Sequence, residues 1–217
     1  MRGVLANENR RRPGDAILQP GAYDRGRNPA DVIGALVKAV RLKTRGSNLV
    51  DCAVASVKDT IRYNETALRG LGRLAGSGGP VSVEGLALAK AGRTTGVTRG
   101  RVTAFELDNL VVGYDVGNLR FDDQIEIEGT GDHPFSDGGD SGSLIVDEDM
   151  LGVALLFAGG DQGGANGQGL TYANPLATIL AALKGDLPQR PLRTLSRPRV
   201  LALSSRTTPR PAAPPVG

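Results

Sequence analysis

The chain has 217 residues, a formal net charge of +3, 31 glycines, four tyrosines, four phenylalanines and no tryptophan. That length suffices for one large or two small domains with a proper core, and the glycine-rich, aromatic-poor profile favours short strands joined by glycine turns over a helical bundle. A single cysteine, Cys52, excludes an internal disulfide, and no apolar run approaches the roughly 18 to 20 residues of a membrane-spanning helix.

The net charge conceals an asymmetry. Residues 186–217 hold six arginines and one acid, Asp186, so the remainder carries 20 basic and 22 acidic groups. A near-neutral body gives no electrostatic support for nucleic-acid binding. The N-terminus has no apolar stretch of signal-peptide length, and a cytoplasmic location is the expectation.

In chain order, residues 1–30 are polar and turn-rich. Arg10, Arg11 and Arg12 read either as a phosphate-binding patch or as a solvated charge run, the latter favoured. Residues 31–40 (DVIGALVKAV) fit a strand or a short helix, with valine and isoleucine tipping the choice to strand. Asp51 then stands inside the apolar run NLVDCAVA. A buried carboxylate is costly unless it is hydrogen-bonded, so Asp51 is either a strand-edge or turn-capping residue or a functional one.

A glycine-rich connector, LAGSGGP, marks a boundary near residue 79. From Val81 onward, apolar and charged residues alternate between glycines, a string of hairpin strands. Residues 135–146, FSDGGDSGSLIV, centre on Gly139-Asp140-Ser141-Gly142. A serine between glycines, leading into an apolar run, suits a nucleophile on a tight turn. The amides of Gly139 and Ser141 can then converge on an oxyanion. Glycine makes up about one residue in seven here, so this tetrapeptide needs context.

Residues 151–157 (LGVALLF) read as a buried strand, followed by a glycine-rich loop and a short strand over residues 170–173. Asn174 fits a helix N-cap with Pro175 at the first helical position, and PLATILAALK reads as a helix stopped by Gly185. Beyond it, seven prolines and six arginines in residues 186–217 leave too little to bury, and the tail is expected to be disordered. With one histidine and one cysteine far apart, no metal site and no cofactor are expected.

Four separated stretches occur together in order: KAGRTTGVT (residues 90–98), FSDGGDSGSLIV, LGVALLFAGG and YANPLATILAAL. They resemble the second barrel and C-terminal helix of trypsin-like, chymotrypsin-fold serine peptidases, nearest to a bacterial group with a K-x-G-R-T-T-G-x-T signature. Upstream, VLANENRRRPGDAILQPGAYDRG and NLVDCAVA resemble the same group, so the likeness spans roughly residues 3–185. It implies an all-β protein of two antiparallel β-barrels, the first incomplete: residues 1–79 a remnant of the first barrel, 80–185 the second barrel with a short C-terminal helix, 186–217 the tail. It implies Ser141 as nucleophile, the Gly139 and Ser141 amides as oxyanion hole, and Asp51 as the carboxylate that orients a histidine base. Phe135, Phe157, Ala158 and Gly159 would wall the specificity pocket. An aromatic there without an acid points to small or apolar side chains, on a peptide or protein substrate.

One departure from the pattern is serious. The bacterial group carries its histidine directly before Val-Leu, and here that place is Gly3, with about half of the first barrel's strands missing ahead of it. Two substitutes are weak: His133, the only histidine, reads as a surface-loop residue beside the pocket, and Lys90 belongs to the KAGRTTG signature. The expectations are therefore a peptidase whose natural sequence extends upstream and supplies the base, or an inactive scaffold or peptide-binding module. A third is a broken product with exposed strand edges.

Overall fold

The computed structural model describes residues 11–184. Gly3, Arg10, Gly185 and the arginine- and proline-rich tail lie outside them. The first half contributes β1 (Ala16–Leu18), β2 (Val32–Ala39), β3 (Ser47–Asn48) and β4 (Ala53–Val57), followed by the short β5 (Ala67–Leu68), β6 (Gly72–Arg73) and β7 (Gly76–Ser77). The order β1-β2-β4 forms an open antiparallel sheet of three strands. The strand expected over residues 31–40 is β2.

The second half comprises β8 (Ala87–Gly92), β9 (Gly96–Leu107), β10 (Leu110–Tyr114), β11 (Gly117–Phe121), β12 (Gln124–Gly129), β13 (Leu144–Val146), β14 (Leu151–Gly160) and β15 (Leu170–Pro175). Six of these run β13-β8-β9-β12-β15-β14, and a further β13–β14 pairing closes the ring into a barrel. Closure removes the sheet edges that an open array would leave unpaired. The β10–β11 hairpin stands outside the ring and reaches back to pair with β3. The connector is not detached from the barrel either, because β7 adds in parallel to the start of β14.

Alternation along each strand fills this barrel. On β8, Leu88 and Lys90 share the inward face, so period two carries a lysine into the interior behind a leucine. Ile127 and Ile145 are fully buried beside Val102 and Leu156, each such side chain contributing about 1.5–3 kcal/mol by leaving water. Phe135 joins this core over Gly100, whose missing side chain makes the room. A Cβ at Gly100 would stand 2.6 Å from the Phe135 ring and 2.3 Å from the Glu128 carbonyl oxygen.

The chain ends, as described, in α1 (Leu176–Lys184). Ile179 and Leu183, one turn apart, pack on Val50 and Cys52. The start of this helix differs from the sequence expectation. Asn174 and Pro175 are the last residues of β15, and the Asn174 amide faces Asp51 and Gln124 instead of capping α1. The Asn174 oxygen and NH₂ are each directed to a partner across the fold, at Asp51 and Gln124.

Candidate active site

Ser141 lies on the turn between β12 and β13, and its hydroxyl donates to the Phe157 carbonyl at 3.2 Å. This turn is fastened to β14 on both sides of the serine. The Gly142 amide donates to Leu156 O at 2.7 Å, and Leu156 N donates to Ser143 O at 3.0 Å. Gly139 has φ +109°, open to glycine and strained for other residues. A Cβ there would meet Thr94 Oγ1 at 2.3 Å and the Arg93 guanidinium at 2.7 Å.

Between Gly139 and Ser141, Asp140 turns inward and explains the KAGRTTG stretch. Its side chain and that of Lys90 are both fully buried and meet at 3.0 Å. The same carboxylate accepts from Thr94 N at 2.7 Å, Thr95 N at 3.3 Å, Thr95 Oγ1 at 2.6 Å and Asp137 N at 3.2 Å. Burial alone would push the Asp140 pKa up. The Thr95 hydroxyl, the Thr94 amide, Lys90 and the Asp137 amide outweigh it and hold the value down at about 2. Lys90 Nζ is further occupied by Thr95 Oγ1 and the Gly96 carbonyl, so its chemistry is that of a buried counter-ion.

Asp51 sits between β3 and β4, and the Tyr114 hydroxyl donates to its Oδ2 at 2.8 Å. Burial pushes the Asp51 carboxyl above the ordinary carboxylate value, and the Tyr114 bond pulls against that rise. Next to it, burial and the Asp51 charge push the Cys52 thiol up to about 11, with Lys38 opposing, so the sulfur is a neutral thiol at physiological pH.

A cleft of about 1040 Å³ brings the two together: Asp51 and Ser141 line it, with Tyr114, Phe157, Ala158 and Gly159 on its walls. Phe135 does not line the cleft. Its ring is taken up by the hollow over Gly100, and Ser136, bonded at 2.7 Å to the Thr171 hydroxyl, lines the cleft instead. Asp115, Asp137 and Asp161 are also in the lining, acids that the expectation of an apolar pocket did not include. Among the described lining residues none is histidine, lysine or arginine. His133 is exposed and borders a separate depression with Thr95, Val97 and Thr98. Among the described residues no group of three histidine, cysteine or acidic side chains is placed to hold a metal ion.

Solved structures with this architecture include a chymotrypsin of Cellulomonas bogoriensis, 23% identical, with a TM-score of 0.50 over 71% of this chain and 73% of that one. The chain has the chymotrypsin fold. A protease of Nocardiopsis matches equally well in shape, with a TM-score of 0.50 at 18% identity over 70% of this chain and 71% of its own. No family model matches the sequence, and no curated protein does. Within this chymotrypsin fold, Tyr114 and Asn174 were missed as partners of Asp51. A tyrosine in VVGYDVG looks like any cross-strand packing residue, and an asparagine before proline looks like a cap. Among the described residues no helix is long and apolar enough to cross a membrane.

Proposed function

We propose that this chain carries the serine endopeptidase site of its fold: Ser141 as nucleophile, Asp51 as the orienting carboxylate, and a histidine base supplied from outside residues 11–184. The observation that supports it is that Ser141 and Asp51, 90 positions apart in sequence, line one cleft between the open sheet and the closed barrel. In this reading the histidine takes the Ser141 proton as Oγ bonds to the scissile carbonyl carbon. The Gly139 and Ser141 amides hold the resulting oxyanion. The histidine then protonates the leaving amine as the C–N bond breaks, and water hydrolyses the acyl-serine by the same steps in reverse roles. Asp51 stabilises the charged imidazolium. The clamp on Asp140 fixes the turn that carries both amides, so preorganisation comes from the KAGRTTG stretch.

A second reading is a peptide-binding module without catalysis. It is favoured by the absence of histidine among the described lining residues and by Tyr114 holding the Asp51 oxygen. Without a base the hydroxyl is a poor nucleophile near neutral pH. A fluorophosphonate probe separates the two. In the peptidase reading, Gly3→His, which fills the place where the resemblance puts the base, is modified at Ser141 faster than the unaltered chain, and Ser141→Ala abolishes the modification. A folded Gly3→His protein that stays unmodified overturns it, and retention of a labelled peptide in the cleft then favours the binding module.

A further inference from the structure

The segment that carries Asp51 is gripped from the closed barrel by two buried amides. Asn174 on β15 and Gln124 on β12 are both fully buried. The Asp51 backbone N–H donates to Asn174 Oδ1 at 2.9 Å, and Asn174 Nδ2 donates to Gln124 Oε1 at 2.6 Å. Gln124 Nε2 then donates to the Leu49 carbonyl at 2.9 Å and to Asp122 O at 2.5 Å. The chain at residues 49–51 is thus held at both ends by one connected pair. The orientation of each amide is forced. Turning Asn174 over would set its NH₂ against the Asp51 N–H, and turning Gln124 over would set its oxygen against two carbonyls.

We propose that Asn174, itself oriented by Gln124, is a positioning residue that sets where the Asp51 carboxylate stands in the cleft. The chain at Asp51 belongs to neither sheet, lying between the end of β3 and the start of β4, so no strand ladder fixes it. Neighbouring contacts fix other parts of the segment. Asn48 ties its own position to Lys43 and Arg120, and Val50 and Cys52 sit under α1. Of these contacts only the Asn174 bond acts on the Asp51 backbone, two covalent bonds from the carbon that bears its carboxylate. The amide pair also serves the Asp51 N–H and the Leu49 and Asp122 carbonyls, bonds that an apolar pair of the same shape would forfeit. It is a good choice for holding one backbone position, because each bond has a single allowed direction.

This inference rests on Asp51 being the working carboxylate, and its test is independent of whether Ser141 reacts. Carbon-detected NMR of the full chain with labelled aspartate follows the Asp51 carboxyl, assigned by its loss in Asp51→Asn. In Asn174→Leu, the carboxyl is expected to leave its buried place, and its titration midpoint to fall toward the ordinary value by about 0.5 or more. Gln124→Met, which keeps the Asn174 contact but frees its orientation, is expected to move it the same way by less. It serves alone should Asn174→Leu not fold. Glu128→Gln weakens a remote buried contact of the same barrel, to Arg101 and Ala165, and should lower Tm while leaving the Asp51 midpoint in place. A midpoint unmoved in the Asn174 or Gln124 variant, with Tm lowered as in the control, would show a purely structural tie and overturn the proposal. Fluorophosphonate labelling of the same samples reports separately on Ser141, so loss of that reading leaves this one standing or falling on the titration.

Discussion

Lys90 and Asp140 show how one buried pair can organise a site without entering its chemistry. Removing one partner of such a pair leaves an uncompensated charge in the interior, at a cost of about 3–5 kcal/mol. Lys90→Met should therefore lose stability of that order in urea unfolding, and fluorophosphonate reactivity with it, since the amides of Gly139 and Ser141 flank Asp140. The same pair makes a pH signature. Asp140 is held below its ordinary 3.8, at about 2, so the stability it contributes is fully present above 3.8 and is lost as pH falls through about 2. Asp51 behaves oppositely. Its folded value is raised, so folding gains most where it is protonated and loses as pH rises through that value. Tyr114→Phe deletes the bond that opposes the rise. The Asp51 midpoint should climb further, and stability at neutral pH should drop relative to mildly acidic pH. A midpoint that falls in Tyr114→Phe would contradict this assignment of causes.

Among the elements, the barrel strands were the most legible in sequence, because alternation broken by glycines is a local property and period two survives without tertiary information. The β15–α1 junction was not. Asn-Pro ahead of an apolar run carries the same local signature whether the asparagine caps the helix or serves a distant backbone, and here the distant partner wins. Phe135 failed for a related reason, since only the barrel's closure reveals the hollow above Gly100 that receives its ring. Two substitutions test these packings. Gly100→Val drives a side chain into the Glu128 carbonyl and the Phe135 ring, and should destabilise the barrel severely, read as a large fall in Tm or loss of soluble protein. Ile179→Ala removes the α1 side chain that packs on Val50 and Cys52. A loss of about 2–5 kcal/mol is expected, and hydrogen exchange should quicken at Val50 and Cys52 more than in β9.

At the scale of the whole molecule, four ordered stretches of sequence pointed to the chymotrypsin fold, and the solved structures bear out that fold at low identity. What the sequence could not convey is how the halves share the work. The closed barrel holds Ser141 and, through Asn174 and Gln124, also reaches across to the Asp51 segment, so the Asp51 backbone is referenced to the barrel that carries Ser141. Such long-range polar contacts join residues 50 to 123 positions apart and leave no periodic trace. The acids lining the cleft belong to the same class of feature, because Asp115, Asp137 and Asp161 come from three separate loops.

The central claim is that Ser141 is placed as a nucleophile beside Asp51, with only the base to be supplied. Chemical rescue tests it most directly on the chain as it stands: the rate of fluorophosphonate modification at Ser141, located by mass spectrometry, measured against added imidazole. A cleft of about 1040 Å³ has room for a free imidazole. The expected result is a rate that rises with imidazole, follows its neutral form as pH increases, falls in Asp51→Asn and vanishes in Ser141→Ala. A folded chain whose Ser141 stays unmodified at every imidazole concentration, or a rate indifferent to Asp51→Asn, would contradict it.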